Sequence, residues 1–198
     1  MRPKLPSNAP SAAAAVAKDG DTVLIDAGTY SGDVATWRQN RLTLRGNGGR
    51  ARLQAAGNSA QGKATWVIAG NRTTVENIIF EGSVVPDGNG AGIRQEGAGL
   101  VVRRSAFVGN QNGILTGANA ASDILVEFST FDGNGAGDGY THNIYIGNVR
   151  SFTLRFSVSR NAKVGHEVKS RAARNDLRYN VIDDGAAATS YSIDLPNG

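Results

Sequence analysis

The chain alternates short apolar runs with glycine-rich polar breaks, and the runs return at a steady interval. Val75-Glu-Asn-Ile-Ile-Phe80, Val102-Arg-Arg-Ser-Ala-Phe107, Val126-Glu-Phe-Ser-Thr-Phe131, Leu154-Arg-Phe-Ser-Val-Ser159 and Leu177-Arg-Tyr-Asn-Val-Ile182 align, their first residues 27, 24, 28 and 23 positions apart. A second series, Ile93, Ile114, Ile144, Val168 and Ile193, runs between them at intervals of 21, 30, 24 and 25. Two series with one period predict stacked coils, each with at least two short strands separated by turns such as Phe107-Val-Gly-Asn110 and Phe131-Asp-Gly-Asn134. Such a coil cannot bury its own apolar side. It must stack on neighbours, ~4.8 Å per step, with backbone hydrogen bonds between coils. An α/β fold would need amphipathic stretches of about ten residues between the runs, and none follows residue 30. An antiparallel sandwich gives no reason for the period. The expected fold is all-β, a right-handed parallel β-helix in a single domain over 1–198, with a cap at 1–20 and stacked coils over 21–198.

The alanine-rich start suits that cap. Ser7 or Ser11 can N-cap a short helix through Lys18, ended by Asp19-Gly20, and the helix would cover the open edge of the first coil. The helix followed by Gly20-Asp-Thr-Val-Leu-Ile-Asp-Ala-Gly-Thr-Tyr30 resembles the opening of pectate-lyase-like β-helix proteins. That resemblance covers essentially the whole chain. It implies the fold and leaves function open, since the superfamily holds lyases, hydrolases, epimerases, tailspikes and adhesins.

Composition narrows the rest. Glycine supplies 26 of 198 residues, 21 Lys and Arg stand against 17 Asp and Glu, and cysteine is absent. The net charge of +4 favours an acidic partner, and disulfide frameworks and cysteine metal sites are excluded. No apolar run reaches the ~18–20 residues of a membrane span. Ala12 to Ala17 is too short for a signal-peptide core, so a secreted or periplasmic location implies a signal absent from this chain.

Aligning Ile144, Val168 and Ile193 as inward positions turns spacing into proximity. One flank gives Asn143, Glu167 and Ser192; the other gives Tyr145, Lys169 and Asp194, preceded by Arg94 and Leu115, and strand alternation points both flanks to solvent. His142, His166 and Tyr191 lie two residues before the anchors. Lys169, His166, His142, Arg171 and Tyr145 are therefore the catalytic candidates, and Asn143, Tyr191, Asp194 and Arg94 the substrate-binding ones. β-Elimination from a uronic acid needs a cation to neutralise the carboxylate and a base to take the adjacent proton.

His166-Glu167-Val168-Lys169-Ser170-Arg171, followed by Leu177-Arg178-Tyr179-Asn180, looks like a region of the alginate lyase and chondroitinase B family. The resemblance implies Lys169 as base and Glu167 as a Ca²⁺ ligand, with Asp194 where that family places an arginine on the next coil. No other cofactor is implied. The repeated Asp-Gly-Asn-Gly-Ala-Gly at 87–92 and 132–137 reads as turns, and Gly46-Asn-Gly48 lacks the context of a dinucleotide loop. Arg103, Arg104, Arg150, Arg155, Arg160, Arg174 and Arg178 form a basic stripe over successive coils. It has no recognised nucleic-acid module and no interleaved exposed aromatics, so nucleic acid is not expected. The expected function is recognition of an extended acidic polysaccharide, with cleavage by β-elimination open. The alternative is a non-catalytic structural or adhesive β-helix, and the uncapped last coil suggests homo-oligomerisation.

Overall fold

A computed structural model describes residues 9–186 and 188–197. It is an all-parallel β-solenoid of seven coils. The first two coils carry β1 (Thr22–Ser31) with β2 (Ala35–Trp37), then β3 (Thr43–Gln54) with β4 (Ala64–Ile68). From the third coil each turn holds three strands: β5 (Thr73–Glu76), β6 (Ile78–Glu81) and β7 (Ala91–Gln95), then β8 (Leu100–Arg103), β9 (Ala106–Val108) and β10 (Asn112–Thr116). The last three coils repeat this with β11 (Asn119–Glu127), β12 (Thr130–Asp132) and β13 (Ile144–Ile146), then β14 (Val149–Arg155), β15 (Val158–Arg160) and β16 (His166–Ser170), and finally β17 (Asn175–Arg178), β18 (Val181–Asp183) and β19 (Tyr191–Asp194).

The three strands of a coil make three faces. β5-β8-β11-β14-β17 line the first, β6-β9-β12-β15-β18 the second, and β2-β4-β7-β10-β13-β16-β19 the third. β3 runs through the corner between the first two faces and joins them. Both repeat series hold in register: Val75, Val102, Val126, Leu154 and Leu177 are successive partners, as are Ile93, Ile114, Ile144, Val168 and Ile193.

The corner between the first and second faces is a single residue in the left-handed region: Asn77, Arg104, Phe128, Phe156 and Tyr179, with φ from 47° to 62°. One such residue turns the chain with no loop, at a cost that side chains other than glycine normally avoid. The residue after it returns to the interior. There Ile78 N–H donates to Ser105 Oγ, Ser105 N–H to Ser129 Oγ and Ser129 N–H to Ser157 Oγ, at 3.1–3.2 Å. The turns between the second and third faces are looser and uneven, spanning 82–90, 109–111, 133–143 and 161–165 in coils three to six.

Trp37, Trp66, Phe80, Phe107 and Phe131 form a buried aromatic column with centroids 4.7–5.2 Å apart. Each such ring contributes on the order of 1.5–3 kcal/mol through burial. The column needs small residues opposite it. A Cβ on Gly92 would lie 2.8 Å from Phe107 Cδ1, and one on Gly113 2.8 Å from Phe131 Cδ1.

The cap differs in detail from expectation. The helix α1 (Pro10–Val16) stops short of Lys18, Ala9 occupies the N-cap, and Ser11 lies inside the first turn. Its terminal amide is satisfied from the first coil instead, where Asp33 accepts from both Ser11 N–H and Ser11 Oγ at 2.9 Å. Ser7 lies outside the described residues. Ala13 and Ala14 seal the core beside Val23 and Ile25, as a cap should. At the other end no strand pairs with the outer edge of β19 among the described residues. Ile193 is therefore 43% exposed where Ile144 and Val168 are fully buried, so the inward column is wet at its last member.

Gly113→Ala should overpack the interior and cost about 1–3 kcal/mol, read as a lower Tm in thermal unfolding. A wild-type Tm would contradict the tight packing of Gly113 against the Asn143 carbonyl and the Phe131 ring.

Candidate functional site

The outward column of the third face runs Val67, Arg94, Leu115, Tyr145, Lys169, Asp194, one residue per coil. Its early members are dry, because the segment between β3 and β4 folds back over them. Ala60, Ala64, Val67, Ala91 and Leu115 form a second apolar cluster, against which Val34 and Tyr145 pack. Its late members are charged and hydrogen-bonded. Lys169 Nζ donates to Asp194 Oδ2 at 2.7 Å, and the same oxygen lies 3.4 Å from His166 Nε2.

Beside this pair the two histidines stack across adjacent coils, 4.7 Å apart and nearly parallel. Tyr145 meets the His142 ring edge-on at 5.3 Å, and Tyr191 covers His166 at 5.5 Å. His142 Nδ1 accepts the His166 backbone N–H at 3.0 Å, which places its own proton on Nε2. Burial drives the His142 imidazole down to about 3, reinforced by the charges of His166 and Lys169 against those of Asp138 and Asp194. His166 is lowered too, chiefly by burial and then by Lys169. Asp194 is held below the usual carboxylate value, first by the hydrogen bond from Lys169. Two neutral imidazoles thus sit against a lysine–aspartate pair.

The other flank corrects the sequence reading. Asn143 and Glu167 are completely buried, not solvent-facing. At the entry to the third face two consecutive residues turn inward, because the bend that begins the strand breaks the alternation. The position is Gly92 or Gly113 where the aromatic column stands opposite. It becomes Asn143 and Glu167 where that column gives way to Ser159, the register partner of Phe131. Glu167 accepts from Ser159 Oγ at 2.8 Å, from Ala162 N–H at 2.7 Å and from Asn143 Nδ2. Asn143 Oδ1 accepts from Asn134 Nδ2 at 2.7 Å, and Asn134 Oδ1 from Asn110 Nδ2 at 2.9 Å. Glu167 completes an internal amide ladder, replacing both the ring missing at 159 and the amide missing at 162. Burial raises its pKa against those three donors. A carboxylate so enclosed does not face a surface metal. Among the described residues no group of three or more His, Asp or Glu side chains is arranged to hold a metal ion.

The remaining candidates meet in a cleft. Arg94, Tyr145 and Arg171 line a depression of about 460 Å³ together with Lys63, Asp87 and Asn148. Lys63 is engaged by Glu96 at 2.6 Å. Among the described residues Arg94 and Arg171 form no ion pair, and the Nε of each is buried with no hydrogen-bond partner. Lys169 and His166 stand beside this cleft and do not line it. A larger depression at the corner between the third and first faces, about 550 Å³, contains Arg41, Arg72 and Arg150; Arg41 and Arg150 pair with Asp19 and Asp123, and Arg72 forms no ion pair among the described residues.

The basic stripe is neutralised except at Arg174, which forms no ion pair among the described residues. Arg45, Glu76, Arg103, Glu127, Arg155 and Arg178 are register partners in one outward column. Glu127 bridges Arg103 and Arg155, Glu76 holds Arg104, Asp132 holds Arg160 and Asp176 holds Arg178. Exposed aromatics do accompany it: Phe128, Phe156 and Tyr179 stack at 5.1–5.2 Å on the corner. Alternation along the strand directs these side chains inward; the left-handed corner directs them out. Comparison with known families, curated proteins and solved structures returned no match.

Two predictions follow from this geometry. Because the folded His142 pKa lies below its unfolded value of ~6.5, its contribution is present at neutral pH and is lost as pH falls from ~6.5 toward 3. Urea titrations at pH 7 and pH 5 should show the acid loss, and His142→Asn should flatten it. Glu167→Ala should cost about 2–5 kcal/mol by opening a cavity and orphaning buried donors. Unchanged stability in that variant would return Glu167 to the surface-ligand role.

Proposed function

We propose that the third face recognises an extended acidic polysaccharide, with the cleft at Arg94, Tyr145 and Arg171 receiving its carboxylates. The observation that carries this reading is that Arg94 and Arg171 line the cleft and form no ion pair among the described residues. A carboxylate accepts two parallel hydrogen bonds from the open edge of such a guanidinium group. The column above them extends the face along the solenoid axis. Arg94 and Lys169 stand three coils apart, roughly 14 Å at ~4.8 Å per coil, a reach suited to a chain rather than a single small ligand. A polysaccharide partner agrees with a secreted or periplasmic location.

The same face has the components of β-elimination. Arg94 and Arg171 would neutralise the uronate carboxylate and so acidify the adjacent proton, and the His166 imidazole beside the cleft would take that proton. Lys169, already donating to Asp194, serves in this scheme as a positive charge beside the sugar. That lysine–aspartate contact favours a second reading, a non-catalytic binding or adhesive module, since the residue suited to act as base is occupied.

Titration calorimetry and absorbance of unsaturated uronates on alginate, pectate and glycosaminoglycans separate the readings. Binding should weaken as salt rises, and Arg94→Ala with Arg171→Ala should lower affinity at least tenfold at unchanged Tm. If elimination occurs, His166→Ala and Lys169→Ala should each cut product formation, His166 by on the order of 10²–10⁴-fold. Binding without product assigns the module reading. No binding to any acidic glycan rejects the proposal.

A further inference from the structure

The corner between the first two faces carries an apolar strip on interior coils, where the end of the stack does not explain its exposure. Phe128 is 50% and Phe156 46% exposed, and beside them the outward column of the second face is Ala106, Thr130, Val158, Val181. Exposed apolar strips rimmed by charge mark interaction surfaces. Here one rim is Arg103, Glu127, Arg155, Arg178 and the other is Val108, Asp132, Arg160, Asp183.

The signs along those rims select the occupant. We propose that the strip is a homodimer interface, on which a second copy of this chain packs antiparallel about a two-fold axis between coils five and six. In that arrangement Asp132 faces Arg160 of the other copy, and Arg155 of the other copy lies over Glu127, whose nearly buried carboxylate is already held by Arg103 and Arg155 of its own chain, each contact made twice by symmetry. Phe128 meets Phe156, Thr130 meets Val158, and Arg104 reaches Tyr179, a cation-over-ring contact of the kind it already makes with Phe128 at 5.8 Å. The one like-charged meeting, Arg103 with Arg178, falls at the two outer ends of the strip, away from the two-fold axis. A parallel arrangement fails the same comparison. It sets Glu127 against Asp132 and Arg155 against Arg160 on neighbouring central coils, with the one opposite-charged meeting, Arg178 with Asp183, only on the last coil, and like charges across an interface are strongly disfavoured. The corner lies across the coil from the third face, so the dimer leaves both clefts open.

Sedimentation equilibrium of the whole chain tests this. The wild type should dimerise, and Phe128→Asn with Phe156→Asn, chosen because asparagine tolerates the left-handed corner, should weaken the dimer at least tenfold with circular dichroism unchanged. Asp132→Arg alone should weaken it, and Asp132→Arg with Arg160→Glu should restore it, because both the internal pair and the pair between copies re-form with signs exchanged. The chain has no cysteine, so a mixture of Thr130→Cys and Val158→Cys proteins should oxidise mainly to the mixed disulfide dimer. A monomeric wild type overturns the proposal. So does a dimer indifferent to the corner variants, which assigns contact to another surface such as the last coil, or one that cross-links Thr130→Cys to itself.

Discussion

Everything in this molecule rests on coil-to-coil hydrogen bonding in register. A parallel ladder fixes both the separation of neighbouring coils and which residue lies above which, so a single sequence position becomes a column along the stack. The core is then a set of columns, not a set of pairs. In the aromatic column from Trp37 to Phe131, Gly92 and Gly113 leave the room that Phe107 and Phe131 occupy.

The candidate site arises where that rule changes. At the sixth coil Ser159 replaces the ring, and the space is taken by Asn143 and Glu167, joined to the amide ladder of Asn110 and Asn134. Next to this polar interior, and on the opposite side of the same strands, stand the stacked histidines and the Lys169–Asp194 pair. The low His142 pKa is an outcome of position: the ring is enclosed by a second imidazole, a tyrosine edge and a lysine charge, none of which stabilises an added proton. Arg94 and Arg171 in the cleft form no ion pair among the described residues, unlike Arg103, Arg155 and Arg160 on the basic stripe.

The repeat was legible in the sequence because it is a spacing property. Ile144, Val168 and Ile193 identify the third-face column, and Tyr145, Lys169 and Asp194 follow from it by strand alternation. Alternation misplaced Asn143 and Glu167 because it presumes regular strands, and the bend entering the third face directs two neighbours inward. It failed in the opposite sense at Phe128, Phe156 and Tyr179, where one left-handed residue directs an aromatic outward. A signal for that corner was present: the position two after each anchor reads Asn77, Arg104, Phe128, Phe156, Tyr179, a mixture no interior column would hold. The neutralisation of the basic stripe was legible only in hindsight of register, since Glu76 and Glu127 lie a whole coil away from their arginine partners in the sequence.

The single-residue corner also governs where the chain can change length. It has no slack, since one added residue there would slide the following strand by one position and turn its buried side chains outward. The opposite seam, between the second and third faces, already spans lengths from 109–111 to 133–143 without disturbing the register on either side. Each coil therefore has a clamped hinge and an elastic one, and the elastic one borders the cleft. Insertions accumulating in such a stack would reshape the walls of the binding face while the scaffold that presents it stays constant.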